Sequence, residues 1–147
     1  FIALALIMHV VWTRTKLGKN MFAVGGNAEA ATVSGVNVSR TMLGVFALTG
    51  VLYGISSYLE AARIGSVNSA AGINYELDGI AACVIGGVSF SGGVGTIGGV
   101  VIGIIILQTI NYSLYYLGIN AYIQYIIKGA IIVLAVAIDV RKYFSKK

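Results

Sequence analysis

Between Asp78 and Lys128 the chain reads GIAACVIGGVSFSGGVGTIGGVVIGIIILQTINYSLYYLGINAYIQYII (79–127), and no side chain in that stretch is charged. About 20 apolar residues in a helix cross a bilayer, so the stretch is long enough for about two crossings. A helix in a soluble core rarely stays free of charge for so long. The rest of the chain agrees. Hydrophobic residues make up 58% of its 147 positions and charged residues 10%, where a soluble domain carries about 25% charged residues. Mean hydropathy is +0.90. So few charges cannot cover a water-facing surface, and the chain reads as all-α, a polytopic bundle of transmembrane helices.

Outward from this stretch the segments follow in order. FIALALIMHVVW (1–12) is apolar but too short to span alone. It reads as the end of a helix that begins earlier, so the chain is expected to be the C-terminal part of a longer protein, with Trp12 at the membrane interface. Residues 13–40 are polar enough to lie outside the hydrocarbon. Residues 41–59 form a full span, and 60–76 form a mixed loop. Residues 77–110 are a long membrane segment interrupted by Gly86-Gly87 and Ser91-Gly92-Gly93. Residues 111–121 are polar and aromatic, 122–138 span again, and a basic tail occupies 139–147.

Lysine and arginine set the orientation. Arg14, Lys16, Lys19 and Arg40 lie in one flank and Arg141, Lys142, Lys146 and Lys147 in another, whereas 60–76 holds Arg63 alone and 111–121 none. Both rich flanks are expected to be cytoplasmic, which requires an even number of crossings after Arg40. Segment 77–110 then contributes none or two, as a hairpin or a re-entrant pair of short helices meeting at GGVSFSGG (86–93). Unwound backbone there must be buried in protein or line a wet cavity, which points to a translocation path or to a glycine-rich packed hairpin. Small residues at Ser91, Gly95, Gly99 and Gly103 recur every fourth position, a stripe suited to close helix packing.

The net charge of +5 does not point to nucleic acid, because the basic residues flank apolar stretches and build no single face. Gly93-x-Gly95-x-x-Gly98 lacks the preceding strand and the later acidic residue of a dinucleotide site. Gly18-Lys19 is followed by Asn20, so there is no Walker A motif. His9 is the only histidine and Cys83 the only cysteine, which leaves neither a metal set nor a triad. Glu76 and Asp78, at i and i+2, do not share a helix face. The chain is therefore not read as an enzyme, and no cofactor or metal is expected in it. Lys128 lies about two turns inside the last span, where it snorkels, pairs with a carboxylate or faces water.

The loop at 25–40 has its own grammar. Asn27 is a good N-cap, Ala28-Glu29-Ala30-Ala31 are mostly strong helix formers, and Gly35 is a natural stop. Glu29 sits at the positive end of the helix. A helix of about two turns is predicted at 28–34, with Asn37 or Ser39 capping the next span. Its thin alanine face suits either a partner's groove or a bare linker.

GGNAEAATVSGVNVSR (25–40), LEAARIGSVNSAAGINYELDGIAACVIGGVSFSGGVGTIGGVVIG (59–103) and INAYIQYIIKGAIIVLAVAIDV (119–140) together resemble the ribose/galactose-type permeases of ATP-binding-cassette (ABC) importers. The resemblance covers nearly the whole chain. It implies a multi-pass subunit of the bacterial inner membrane that carries galactose, a methyl galactoside or a related monosaccharide. It implies a second permease copy, cytoplasmic ATPase subunits that bind ATP and magnesium, and a periplasmic sugar-binding protein. By it, Gly26, Asn27, Glu29, Ala30, Ala31, Ser34 and Gly35 form the coupling helix that receives the ATPase stroke, and the broken element at 77–96 lies near the pore. Ser89, Ser91, Thr96, Gln108 and Asn111 are candidate polar groups of the translocation path. Topology adds Glu60, Arg63 and Glu76 as outer charges for docking the binding protein.

Two other classes compete. An ATP-independent secondary transporter or channel would carry coupling carboxylates or rings of charge inside the membrane, and 79–127 has none. A purely structural membrane subunit would tolerate replacement of Glu29 and the alanines beside it.

Overall fold

The structure is a computed structural model. It describes residues 2–144, with side chains at all of them except 138 and 142–144. It is all-α: α1 (Ile2–Arg14), α2 (Lys16–Gly26), α3 (Ala28–Val33), α4 (Val38–Ile64), α5 (Tyr75–Ile85), α6 (Ile97–Tyr116) and α7 (Ala121–Phe144), with no strand among the described residues. Val38–Ile64, Ile97–Tyr116 and Ala121–Arg141 are each long and apolar enough to cross a membrane. Their outward faces suit lipid: Leu43, Phe46, Ile102, Val133 and Leu134 are all exposed. The chain divides into two compact units, one of residues 9–73 and one of residues 2–8 with 74–144.

In the first unit α2 packs against α3 and α4. The expected loop at 13–40 is thus largely helical. Leu17, Met21 and Val24 recur on the half-buried side of α2 while Lys16, Lys19 and Ala23 are exposed. Thr15 makes the α1–α2 corner: its hydroxyl donates to the Val11 carbonyl (2.6 Å) and accepts from the Gly18 amide (3.2 Å). Gly18 is buried there, and any Cβ on it would run into the Val11 and Trp12 carbonyls. Trp12 meets Phe22 edge to face, ring centroids 5.7 Å apart. The cap of α4 is Asn37, whose side chain accepts from the Arg40 amide at 2.9 Å. The helix then runs past the expected end at 59, because Glu60-Ala61-Ala62-Arg63 are good helix formers. It stops where Gly65 takes φ +76° and donates its N–H to Ala61.

In the second unit α5 packs against α6 and α7. Its 11 residues cover about 16 Å, short of the roughly 30 Å hydrocarbon. The end of α5 is a Schellman cap: Gly87 (φ +80°) donates to Val84 and Val88 donates to Cys83, both at 2.9 Å. Unwound chain follows to Thr96, which caps α6 by accepting from the Gly99 amide at 3.1 Å. The predicted break is therefore present, and α6 restarts beyond it.

Glycine sets how closely α5 and α6 approach. A Cβ at Gly99 would strike the Gly86 carbonyl, and one at Gly103 would strike the Ala82 carbonyl and the Gly86 amide. Beside them Ala81, Ala82 and Leu107 are buried, with Ile85, Ile104 and Ile132 packed around. The expected four-residue stripe is only half helical, since Ser91 and Gly95 fall in the break ahead of α6. The polar segment expected at 111–121 instead extends α6 to Tyr116, because nothing before Gly118 (φ +68°) stops a helix. Likewise α7 continues past Asp139; residues 145–147 of the expected tail lie outside the described residues.

The close glycine contact yields a prediction. In the full-length protein in detergent, Gly103→Ala lowers stability by about 1–3 kcal/mol, read by thermal denaturation. Gly98→Ala, with nothing within 4 Å of its added Cβ, does not lower stability and raises it by up to about 1 kcal/mol.

Candidate functional site

Unwound backbone at 86–96 leaves amides without helical partners, and side chains of its own unit take them up. The Asp139 carboxylate on α7 accepts from the Ser89 hydroxyl at 2.8 Å and from the Phe90 amide at 3.1 Å. The Ser91 amide donates to the Ser89 oxygen at 3.2 Å, and the Ser89 amide to the Val94 carbonyl at 3.0 Å. The break is thus pinned to α7 through one carboxylate.

A second tie lies further along the same pair of segments. Lys128 on α7 places its Nζ 2.6 Å from Asp78 Oδ1 on α5. Lys128 is buried and also lies 5.8 Å from the centre of the Tyr125 ring. Of the three roles open to Lys128, the geometry selects pairing with a carboxylate. The two ties are in register: Asp78 precedes Ser89 by as many residues as Lys128 precedes Asp139. That interval is close to three full turns at about 3.6 residues each, so α7 presents a cation and an anion on one face to both ends of the broken element.

The polar residues proposed for a translocation path separate into two groups. Ser89, Ser91 and Thr96 belong to the break, where Ser89 is engaged by Asp139 and Thr96 by the α6 cap. Gln108 and Asn111 sit on α6, roughly 16 Å or more along the helix from its start. Gln108 is exposed, while Asn111 is half-buried with an Oδ1 that has no partner among the described residues. The five do not converge on one pocket.

In the first unit the predicted loop helix is present at Ala28–Val33, one residue shorter than expected because Ser34 caps it. Asn27 accepts from the Ala30 amide at 2.9 Å, and the Ser34 hydroxyl returns to the Ala30 carbonyl at 2.9 Å. Gly35 then turns the chain at φ +84°. Ala31 is buried, whereas Gly26, Asn27, Glu29, Ala30, Ser34 and Gly35 are exposed. The helix anchors by one alanine and offers its other face outward. Glu60 and Arg63 form an exposed ion pair at 3.0 Å within α4; Glu76 is exposed in the first turn of α5, in the other unit.

The sequence reading missed the role of Asp139, which stood as the start of a tail, and the identity of the Lys128 partner. A signal existed for both: equal intervals between two serine- or acid-bearing positions and two charges on an otherwise apolar helix.

Burial makes the Lys128 contact testable. Lys128→Met or Asp78→Leu alone lowers stability by about 3 kcal/mol, because each leaves a partly buried charge unpaired, whereas the double variant recovers most of the loss. Thermal denaturation of the four proteins reads this coupling directly.

The chain is 60% identical over 146 residues to the galactose/methyl galactoside import permease protein of Escherichia coli (strain K12), covering 99% of this chain and 43% of that protein. It is 57% identical over 143 residues to the permease of the same name from Haemophilus influenzae, covering 97% and 43%. It is 46% identical over 136 residues to the xylose transport system permease protein of H. influenzae, covering 92% and 36%. The chain thus spans less than half the length of these relatives. No solved structure matches it. Residues 1–136 match one family of membrane permeases, and the chain belongs to that family, the branched-chain amino acid transport system / permease component family.

Proposed function

We propose that the chain is part of the membrane-spanning permease subunit of an ATP-driven monosaccharide importer, with galactose or a methyl galactoside as cargo. The observation that carries this reading is the 60% identity, across 99% of the chain, to a galactose/methyl galactoside import permease. In this reading the subunit pairs with a second copy in the bacterial inner membrane. Cytoplasmic ATPase subunits bind ATP and magnesium, and a periplasmic binding protein delivers sugar. No group in this chain performs hydrolysis.

The mechanism proposed is alternating access. The ATPase dimer closes on ATP and carries α3 with it; residues 26–35 act as the coupling element. The helices around the glycine break then seal one side and open the other. Ser89, Ser91, Thr96, Gln108 and Asn111 offer polar groups along α6 and the break, and Glu60, Arg63 and Glu76 offer charges for the binding protein. An ATP-independent transporter is disfavoured by the charges in α5–α7: Asp78 and Lys128 neutralise each other and Asp139 is taken by the break, so among the described residues of these helices the carboxylate left to bind a coupling ion is Glu76, exposed in the first turn of α5.

Ala30 gives the test. It is exposed while Ala31 makes the buried contact, so Ala30→Trp keeps the loop helix and changes only what can seat against it. In vesicles holding the full-length permease with its ATPase and binding protein, labelled galactose uptake depends on ATP, and Ala30→Trp abolishes it while insertion is unchanged. Uptake indifferent to ATP, or untouched by the tryptophan in an active complex, would sink this reading.

A further inference from the structure

The first unit carries four cations that the coupling role does not use. Arg14, Lys16, Lys19 and Arg40 are all exposed, and none forms an ion pair among the described residues. The acids of this unit cannot balance them: Glu60 is spent on Arg63, which leaves Glu29. The four are not scattered. Arg14 ends the apolar helix α1, Arg40 lies in the first turn of the spanning helix α4, and Lys16 and Lys19 share the exposed face of α2 between them. Charges at the ends of apolar helices stand where hydrocarbon gives way to headgroups.

At that level the structure has a receptacle. A shallow cleft of about 280 Å³ between α2 and α4 is lined by Leu17, Asn20, Asn37, Arg40 and Thr41. Arg40 supplies a guanidinium, suited to bidentate contact with phosphate oxygens. The Asn37 side-chain oxygen is taken by the Arg40 amide, which leaves its NH₂ group to donate. Asn20 adds a second amide and Leu17 an apolar wall. A free anion has no use for the apolar wall, but a phosphodiester with acyl chains beneath it does.

We propose that this cleft, with Lys16 and Lys19 on the exposed face of the same helix α2, binds the phosphate of an anionic phospholipid of the cytoplasmic leaflet. The proposal rests on the reading of the chain as part of a membrane permease. Headgroup contact at this place would hold α2, and the start of α4, at the membrane surface.

The test uses the full-length permease in nanodiscs of equal parts phosphatidylglycerol and phosphatidylcholine, released and read by native mass spectrometry. Wild type retains phosphatidylglycerol in preference. Arg40→Gln lowers that preference roughly fivefold, the expected worth of one surface cation, and Lys16→Gln with Lys19→Gln lowers it further. Arg141→Gln, a cation near the end of another apolar helix, leaves it unchanged. Equal losses at Arg40 and Arg141 would show diffuse attraction and overturn the cleft. So would the absence of any preference, or a loss of ATPase association in Arg40→Gln with lipid retention intact, which would make the patch a protein contact. Failure of the wild type to enter the bilayer would instead defeat the permease reading, and flotation with vesicles separates the two.

Discussion

An apolar solvent gives backbone amides nothing to bond with, so every interruption of a helix at membrane depth must be satisfied from within the protein. The interruption at 86–96, between α5 and α6, obeys that constraint. Three devices meet it: the Schellman cap on α5, the Ser89–Val94 backbone bond, and the Asp139 carboxylate that takes the Ser89 hydroxyl and the Phe90 amide. Remove the carboxylate and the loop loses its hydrogen bonds to α7. The short length of α5, the placement of α7 and the restart of α6 at Thr96 all follow from a break that is held in one position.

Holding a break still also requires that its two helices cannot slide. Glycine supplies this. Gly86, Gly99 and Gly103 bring the α5 and α6 backbones together so closely that a single methyl would collide with a carbonyl. Without a hydrophobic drive between helices in lipid, such packing is a main source of association. The Asp78–Lys128 pair then fixes the other end of α5 on α7. The result is a half-length helix tied at both ends to one face of a full-length one. An element of this kind is held in place by a few polar contacts and by close glycine packing.

Much of this was legible in the sequence. The uncharged stretch 79–127 fixed the class, and the double glycines marked the break. Asn27 and Gly35 gave the loop helix almost to the residue, because capping is local chemistry, and Asn37 was one of two caps open for a span expected to begin at 41, three residues after α4 starts. Less was legible where local signals conflict. Three glycines in 16–26 hide the helical repeat of Leu17, Met21 and Val24, and packing of α2 on α3 and α4 overrides their low propensity. The polar and aromatic residues from 111 were set outside the membrane segment that ends at 110, yet polarity does not stop a helix and α6 runs on to Tyr116. The partners of Asp139 and Lys128 are about fifty residues away, and no local rule reaches that far. The candidate translocation residues were chosen by polarity alone, and the structure spreads them over two places.

The most direct check on this account joins the break to α7 chemically. Ser89→Cys and Asp139→Cys would be introduced together into a full-length protein whose native cysteines, Cys83 included, are replaced by alanine, and treated in native membranes with a short bifunctional thiol reagent. The account predicts an efficient intramolecular cross-link that forms in neither single-cysteine protein. If both thiols react singly yet never join, the break is not held by α7, and the arrangement of the second unit described above is wrong.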